Sequence, residues 1–416
     1  MERTELKEII INQNNREEQK DLVDREIFSK VESYVKNDFI IIISGIRRCG
    51  KSTLLAQIRK KHSGYYLNFD DERLINFKVE DFKLLEELLI ELYGEKKIFY
   101  FDEIQNIPMW ERFVRRLHDE RKKVFITGSN ASLLSKELGT HLTGRHIMLQ
   151  MFPFSFKEFL TLKKYEVNKN SVYLSVSRAK IKNYFENYFI NGGFPEYLKE
   201  LNPDYLKTLY ENIIYRDILV RYKIPNEKIF KELVYLAINN ISKEISFNSI
   251  KKILGLGSST TIKEYFDYLE NSFLIFLLPK FDYSLRRQMY YNKKVYCIDN
   301  GLSKYLGFRL TADSGKLLEN IVFIELKRKR KEIYYYSDNR ECDFIVKDEN
   351  KIIQAIQVCY ELTKENKERE IEGLTEAMNK FKLKEGLILT YDKEEEIKLK
   401  GNSKIIIKPV WKWLLE

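Results

Sequence analysis

Hydrophobic residues in the first third of the chain form short unbroken runs, each closed by polar residues. Such runs occur at residues 39–43, 98–101 and 124–126. An unbroken apolar run of this length predicts a strand that is buried on both faces, as in a parallel sheet. Residues after Thr53 and residues 110–123 follow a helical pattern instead. This alternation of strands and helices predicts an α/β domain.

The pattern changes after residue 165. Tyr and Phe recur three and four residues apart over 166–225, with a break at Gly192-Gly193, which predicts a helical segment. Three short helices are expected within 228–275. Beyond 312 the pattern predicts a helix at 315–326, strands at 332–336, 341–347 and 351–358, a charged helix at 363–381 and a strand at 386–390. We therefore divide the chain into four parts, residues 1–165, 166–227, 228–312 and 313–416.

A phosphate-binding loop is predicted between the first strand and the helix that follows it. The sequence there is G-x-x-x-x-G-K-S, from Gly45 to Ser52. Glycines let the backbone wrap a phosphate with its N–H groups, and the helix N-terminus adds a favourable dipole. Lysine at this position reaches the β- and γ-phosphates, and the serine hydroxyl binds Mg²⁺. The alternative is a glycine-rich turn without a ligand. The expected nucleotide-binding residues are Gly45, Ile46, Arg47, Arg48, Cys49, Gly50, Lys51, Ser52 and Thr53.

Two acids, Asp102 and Glu103, close the second buried strand. In a P-loop domain the first would complete the Mg²⁺ site with Ser52, and the second would polarise the attacking water. A solvated acidic turn is the alternative, but the phosphate loop favours the first interpretation. No Asn-Lys-x-Asp guanine signature is present, since Asn379-Lys380 is followed by Phe-Lys, so the expected cofactors are ATP and Mg²⁺.

Polar residues that follow the third strand complete the predicted catalytic set. Asn130 ends the segment Thr127-Gly-Ser-Asn, where a polar side chain could contact the γ-phosphate or the water. Arg145, in Thr-Gly-Arg, is a candidate arginine for the γ-phosphate of its own or a neighbouring subunit. A Gly-Ser turn and a structural salt bridge are the respective alternatives. The expected catalytic residues are therefore Lys51, Glu103, Asn130 and Arg145.

Several segments together resemble AAA-type P-loop ATPases that carry a C-terminal domain known as DUF4143. They are GIRRCGKSTLL (45–55), YLNFDDERL (66–74), FYFDEIQNIPMWERFVRRL (99–117), FITGSNASLL (125–134), LTGRHIMLQMFPFSFKEFL (142–160), NGGFPE (191–196) and YRD (215–217). The resemblance spans nearly the whole chain. It implies an AAA-like ATPase core over 1–165 and a helical lid over 166–227.

Residues 228–312 are expected to form a winged helix. A helix, a turn with Gly255 and Gly257, and a Ser/Thr-capped helix make a helix-turn-helix pattern, and the basic stretch 280–294 could form the wing. In a duplex-reading module, the residues at the major groove would be Ser258, Ser259, Thr260, Thr261 and Lys263. Winged helices also serve as packing or protein-binding modules, so duplex DNA and a protein remain alternative partners.

The last part, 313–416, has the layout of restriction-endonuclease-like nucleases. The acids would be Glu319 or Glu325 on the helix and Asp343 on a strand. The third element should be Glu-x-Lys, but the chain has Gln357-Val-Cys359, and cysteine cannot replace the lysine cation. We therefore expect a degenerate nuclease-like fold without cleavage activity, with unrelated α/β structure as the alternative.

Composition excludes several other classes. The 416 residues include four cysteines without a CxxC pair and four histidines without zinc-ligand spacing, which fits a reducing cytoplasm. The longest apolar runs are too short for a membrane helix, and the N-terminus lacks a signal peptide. A net charge of +10 is compatible with nucleic acid without demanding it. The leading prediction is a cytoplasmic Mg²⁺-dependent ATPase that acts as a switch or motor, with homo-oligomerisation open. The alternatives are a nucleotide-gated DNA-binding regulator and a metal-dependent nuclease effector.

Overall fold

The computed structural model describes residues 1–15, 22–130, 142, 144–168, 170–307 and 313–416. Within these ranges the chain divides into two units, residues 1–152 and 153–416. Thr143, which precedes Gly144 and Arg145 in the predicted arginine motif, lies outside the described residues.

The first unit is built on a five-stranded sheet whose neighbouring strands are all parallel. Its order is β2-β3-β4-β1-β5. Every residue of β1 and of β4 is buried, as expected for central strands of a parallel sheet. The strands are β1 (Ile40–Ser44), β2 (Tyr65–Asn68), β3 (Ile98–Asp102), β4 (Lys123–Gly128) and β5 (His146–Gln150).

Helices of the first unit cover this sheet with apolar side chains. The aromatic rings of Phe82 and Phe113 stack at 4.2 Å, so residues of α4 and α5 pack against each other. Leu6, Ile9 and Ile10 of α1 are completely buried in the same core. The helices are α1 (Arg3–Asn14), α2 (Phe28–Ser33), α3 (Lys51–Lys61), α4 (Asp81–Tyr93) and α5 (Trp110–Asp119), with short 3₁₀ turns at Tyr34–Lys36, Glu72–Leu74 and Ile104–Asn106.

The register of the parallel strands decides which residues can meet. Ser44 at the end of β1 pairs with Gly128 on β4 and with Gln150 on β5, while Asn68 pairs with Asp102. The carboxyl ends of the strands therefore share one edge of the sheet. The amino ends share the opposite edge, where Ile40 pairs with His146.

Two further sheets lie in the second unit. A three-stranded antiparallel sheet has the order β6-β8-β7, and a mixed six-stranded sheet has the order β13-β14-β12-β11-β10-β9. The strands are β6 (Glu244–Ile245), β7 (Ile275–Pro279), β8 (Lys293–Cys297), β9 (Glu332–Ser337), β10 (Glu341–Asp348), β11 (Lys351–Cys359), β12 (Glu385–Thr390), β13 (Glu395–Lys398) and β14 (Lys404–Pro409).

Helices connect and flank these two sheets. They are Phe156–Leu162, Ser175–Asn191, Pro195–Glu200, Pro203–Asn212, Val220–Tyr222, Glu227–Asn239, Phe247–Ile253, Ser259–Asn271, Leu285–Tyr290, Asn300–Leu306, Ser314–Arg328, Lys367–Phe381 and Val410–Trp413, with a π-helical segment at Ile213–Leu219 and a 3₁₀ turn at Lys400–Asn402. The three helices expected within 228–275 are present, and so are the expected helix, three strands, helix and strand of 315–390.

The glycine pair that interrupts the helical pattern has a packing reason. Asp299 is buried, and its carboxylate accepts hydrogen bonds from the backbone N–H groups of Gly193 and Leu302 at 2.6 and 3.0 Å. Burial raises the pKa of Asp299 to about 6. A Cβ on Gly192 would lie 2.1 Å from this carboxylate, and the φ of Gly192 is +71°. Only glycine fits there.

Replacing Gly192 with alanine should therefore destabilise the protein. We expect Gly192→Ala to lower the free energy of unfolding by at least about 2 kcal/mol, because it displaces a hydrogen-bonded buried carboxylate and forces a left-handed alanine. Gly257→Ala is the matched control, since a Cβ there meets nothing within 4 Å. Equilibrium urea unfolding measures both, and equal stability of the two variants would contradict this explanation.

Candidate functional site

The predicted phosphate loop connects β1 to α3 at the carboxyl edge of the first sheet. A Cβ on Gly45 would lie 2.2 Å from the carbonyl oxygen of Met151, so the loop turns against the chain that leaves β5. Arg48 and Gly50 have left-handed φ values of +66° and +101°. Consecutive turns of this kind orient backbone N–H groups inward, and the following helix adds its N-terminal dipole. The phosphate-binding role of this loop stays a prediction.

Lys51 lies inside this loop. Its ammonium donates to the carbonyl oxygens of Gly45 and Ile46 at 3.0 and 3.2 Å and is buried. It also lies 3.7 Å from the Glu103 carboxylate. A buried lysine whose partners are mainly loop carbonyls can exchange them for phosphate oxygens at little cost, because the positive charge is already desolvated.

Arg25 holds the loop from the outside. Its guanidinium donates to the carbonyl oxygens of Cys49 and Phe152, at 2.7 and 2.6 Å. The side chain is buried, so both bonds are shielded from water. Sequence analysis did not identify Arg25, because it lies far from any motif and acts through backbone oxygens.

Asp102 and Glu103 lie next to the loop and are joined by Thr127. The Thr127 hydroxyl donates to Asp102 and accepts the Glu103 backbone N–H at 3.1 Å. The exposed Ser52 hydroxyl is close enough to Asp102 to act against the rise in the pKa of that carboxyl. Glu103 has a φ of +52°, unusual for a residue with a side chain, and such strain concentrates at functional sites.

The environments of the two acids shift their pKa values in opposite directions. Burial, together with the nearby Glu103 charge, raises the pKa of Asp102. For Glu103, burial acts upward, but the Lys51 ammonium and the hydrogen bond from Gln105 outweigh it and lower the pKa. Glu103 is therefore ionised at neutral pH, which a general base or a water-orienting carboxylate requires.

The segment after β4 contributes polar groups to the same edge. Ser129 donates both its backbone N–H and its hydroxyl to Glu103, each at 3.3 Å. Asn130 is completely buried one residue further on. Its position at this edge agrees with the expected location, and its contact with a phosphate or water stays a prediction.

The remaining loop residues are either buried or at least partly exposed to solvent. Ile46 and Cys49 are buried, and burial raises the pKa of the Cys49 thiol. Arg47 lies 3.9 Å from Asp70, whereas Arg48 is exposed, and Thr53 is partly exposed in the first turn of α3. The structure therefore brings together the loop, Lys51, Ser52, Asp102, Glu103 and Asn130.

Arg145 does not join them. It precedes β5, where its carbonyl oxygen accepts the Ile40 N–H at 2.9 Å, so it lies at the amino edge of the sheet. Five residues of strand separate that edge from the loop, a distance of roughly 15 Å. The Arg145 guanidinium forms an ion pair with Asp119 at 2.9 Å. A contact between Arg145 and the phosphate of its own subunit is therefore wrong, because the parallel register places the two at opposite edges.

In the second unit, the predicted acids surround a lysine that sequence analysis had placed only in the basic stretch 280–294. The buried Lys294 ammonium of β8 lies 3.1 Å from Glu319, 2.8 Å from Asp343 and 2.6 Å from Glu341. Tyr296, two residues along the same strand, donates to Glu319 at 2.6 Å. This arrangement selects Glu319 of the two alternatives. Glu325 instead pairs with Arg328 at 3.1 Å.

Strand β11 places Gln357 and Cys359 beside these acids. Gln357 donates to Glu370 at 2.7 Å and accepts the Asp343 backbone N–H at 3.2 Å. The pKa of the Cys359 thiol is raised by burial to about 11, so it is neutral. Burial would lower the pKa of Lys294, but the surrounding carboxylates raise it well above its ordinary value. A permanent ammonium therefore lies among these acids, and burial together with the Asp343 charge raises the pKa of Glu319 to about 8.

No group of three or more His, Cys, Asp or Glu side chains among the described residues is arranged to hold a metal ion. No helix within them has the length and apolar character needed to cross a membrane.

A parallel α/β sheet with a phosphate loop after β1 and an acid pair after β3 defines the first unit as a P-loop NTPase-like domain of AAA type. The chain belongs to the family of AAA-type proteins with a C-terminal DUF4143 domain, as the sequence resemblance indicated. A family model described as "AAA domain" matches residues 37–160. Two models described as domains of unknown function match the remainder, DUF8612 over 182–314 and DUF4143 over 314–413.

Relatives cover the chain almost end to end. An uncharacterized protein of Methanocaldococcus jannaschii is 38% identical over 90% of this chain and 88% of its own length. An uncharacterized protein of Haemophilus influenzae is 30% identical over 95% of this chain and 100% of its own. Among solved structures, the Thermotoga maritima RuvB Holliday junction branch migration motor covers 66% of this chain and 94% of its own, with 14% identity and a TM-score of 0.31. That likeness is too distant to carry a conclusion.

Removing the buried lysine should destabilise the second unit. We expect Lys294→Met to lower the free energy of unfolding by about 3 kcal/mol, because it leaves buried carboxylates without a cation. Lys293→Met, on the neighbouring and partly exposed position of β8, should cost less than about 1 kcal/mol. Urea unfolding of both variants tests this, and a neutral Lys294→Met would show that the acids do not need the ammonium.

Proposed function

We propose that the chain binds and hydrolyses ATP with Mg²⁺ and acts as an ATP-driven switch or motor. The observation that carries this proposal is the placement of Lys51, Asp102 and Glu103 together at the carboxyl edge of the first sheet. Membership of the AAA-type family supports nucleotide binding, and the hydrolytic step rests on these three side chains.

The residues present fit a magnesium nucleotide. Ser52 offers an exposed hydroxyl and Asp102 a nearby carboxylate, which is the pair of oxygen donors expected for Mg²⁺. The loop backbone and Lys51 offer donors to phosphate oxygens. When bound, Mg²⁺ offsets the negative charge of the phosphates.

Each side chain has a distinct task in this proposal. Lys51 moves from the loop carbonyls to a phosphate oxygen, and Asp102 and Ser52 hold the metal. Glu103, kept ionised by Lys51 and Gln105, orients a water and accepts its proton. Thr127 acts as a positioning residue, since its hydroxyl fixes both acids at once.

Steady-state hydrolysis of ATP tests the assignment. We expect Lys51→Ala to abolish hydrolysis, and Glu103→Gln to retain ATP binding while slowing turnover at least about tenfold, because the amide cannot accept the proton. Glu95→Gln, an exposed acid of the same unit, is the control and should leave the rate unchanged. Undiminished turnover in either site variant would refute the proposal.

We further propose that the second unit couples ATP hydrolysis to duplex DNA. The elements of residues 227–297 follow the order helix, strand, helix, helix, strand, short helix, strand. Strands β6, β8 and β7 form an antiparallel sheet, and this arrangement supports a winged helix. Arg286 and Tyr290, in the connection between β7 and β8, are exposed, which suits a wing that contacts a phosphate backbone. A protein partner is the alternative.

Duplex DNA should therefore stimulate ATP hydrolysis. We expect the stimulation to disappear in Arg286→Ala/Tyr290→Ala, while hydrolysis without DNA stays at the wild-type rate, because neither side chain lies in the first unit. Lys180→Ala/Lys207→Ala removes two exposed charges of the second unit that lie outside residues 227–297 and serves as the control. Hydrolysis indifferent to DNA would favour a protein partner for this unit.

Nuclease activity is not part of the proposal. Lys294 already occupies the space between Glu319 and Asp343, and the third strand carries Gln357 in place of a second carboxylate. A role for Arg145 at a phosphate would require a neighbouring copy of the chain, because the register excludes its own subunit.

A further inference from the structure

A cavity of about 550 Å³ lies at the amino edge of the first sheet, opposite the phosphate loop. Its walls come from the segment before β1, the start of β3, the end of α5 and the start of β4. Five of its eleven lining residues are cations, namely Lys36, Lys97, Arg121, Lys122 and Lys123. The proposed hydrolysis uses none of these residues.

Four of these cations have no anionic partner in the part of the chain that the structure describes. Lys36, Lys97, Arg121 and Lys122 form no ion pair and no side-chain hydrogen bond there. The acids lining the cavity are Asp38 and Asp119, and Asp119 is already paired with Arg145 at 2.9 Å and with Arg115 at 3.8 Å. Five cations against two acids leave a surplus of three positive charges.

Lys123 has a different task from the other four. Its buried ammonium donates to the Asn37 carbonyl and side-chain oxygens at 2.9 Å each, and to the Phe39 carbonyl at 2.6 Å. These bonds fix the segment 36–39 against β4. Lys123 is therefore a positioning residue, and it holds Lys36 on the same rim as Lys97 and Lys122.

The cations form a row across neighbouring strands. Ile98 pairs with Lys123, so Lys97 and Lys122 are neighbours immediately before β3 and β4, and β1 is the next strand in the sheet. Adjacent strands are separated by roughly 5 Å, so the row extends over about 10 Å. A row of separate charges matches the repeated phosphates of a polymer better than one phosphate group, which needs donors that converge on a point.

We propose that this cavity binds consecutive phosphate groups of a nucleic-acid backbone. It is a second contact surface, separate from the wing and from the nucleotide site. Because binding is electrostatic, it is independent of base sequence and falls steeply as salt concentration rises.

The test is the salt dependence of binding to a fluorescent duplex DNA, measured by anisotropy on the full chain without nucleotide. We expect Lys97→Gln/Lys122→Gln to weaken binding at least about tenfold at low salt and to reduce the slope of log K against log salt by about 2, one unit for each lost contact. Hydrolysis of ATP without DNA should stay unchanged, which separates this proposal from the proposed ATPase function.

Lys78→Gln/Lys83→Gln, two exposed lysines of the same unit, form the matched control and should leave the slope unchanged. When Lys97→Gln/Lys122→Gln is added to the Arg286→Ala/Tyr290→Ala wing variant, DNA affinity and the salt slope should fall by the same amounts as they do in the wild-type background. An unchanged slope in Lys97→Gln/Lys122→Gln, or a loss equal to that of the control, would overturn the proposal. The affinity of the wild-type protein for tripolyphosphate is measured in the same way. If it equals the affinity for the duplex and depends equally on Lys97 and Lys122, the site does not select a polymer, and the assignment to a nucleic-acid backbone is wrong.

Discussion

The parallel register of β1, β3 and β4 is the constraint on which the first unit depends. Because strands run in one direction, the phosphate loop after Ser44, the acids after Phe101 and the polar turn after Gly128 must share an edge. The same register sends Arg145 and the cations at the starts of β3 and β4 to the opposite edge. The parallel register therefore gives the carboxyl edge of the sheet its acids and phosphate loop, and the amino edge its cations.

At the carboxyl edge, hydrogen bonds fix side chains before any ligand arrives. Thr127 joins the two acids, Ser129 and Gln105 hold Glu103, and Arg25 clamps the loop to the end of β5. Preorganised groups of this kind lose little entropy on binding and need little rearrangement during reaction. Lys51 is the group with exchangeable partners, because its acceptors include carbonyls of the loop itself.

The second unit contains a buried charge cluster of two acids and one lysine. Glu319 and Asp343 are buried on neighbouring elements, and two buried carboxylates repel each other unless a cation lies between them. Here that cation is the Lys294 ammonium, which lies 3.1 Å from Glu319 and 2.8 Å from Asp343. Lys294 reaches the acids from β8, so the three-stranded sheet and the six-stranded sheet share one charge cluster.

Local pattern was sufficient for β1, β3 and β4, the phosphate loop and the acid pair, since each depends on neighbours in sequence: apolar runs form buried strands, and glycines permit the turn. The same holds for the helix, three strands, helix and strand of 315–390. Strands β2, β5, β13 and β14 were missed, because each is short and only partly buried and carries no motif. Three side chains act through partners that are distant in sequence. The partners of Arg25 lie 24 and 127 residues away along the chain. Those of Thr127 lie 24 and 25 residues away, and those of Lys294 lie 25 and 49 residues away. Only the tertiary structure decided at which edge of the sheet Arg145 lies and which lysine lies between Glu319 and Asp343. The physical reason is that strand register and long-range ion pairing leave no periodic signal in the sequence.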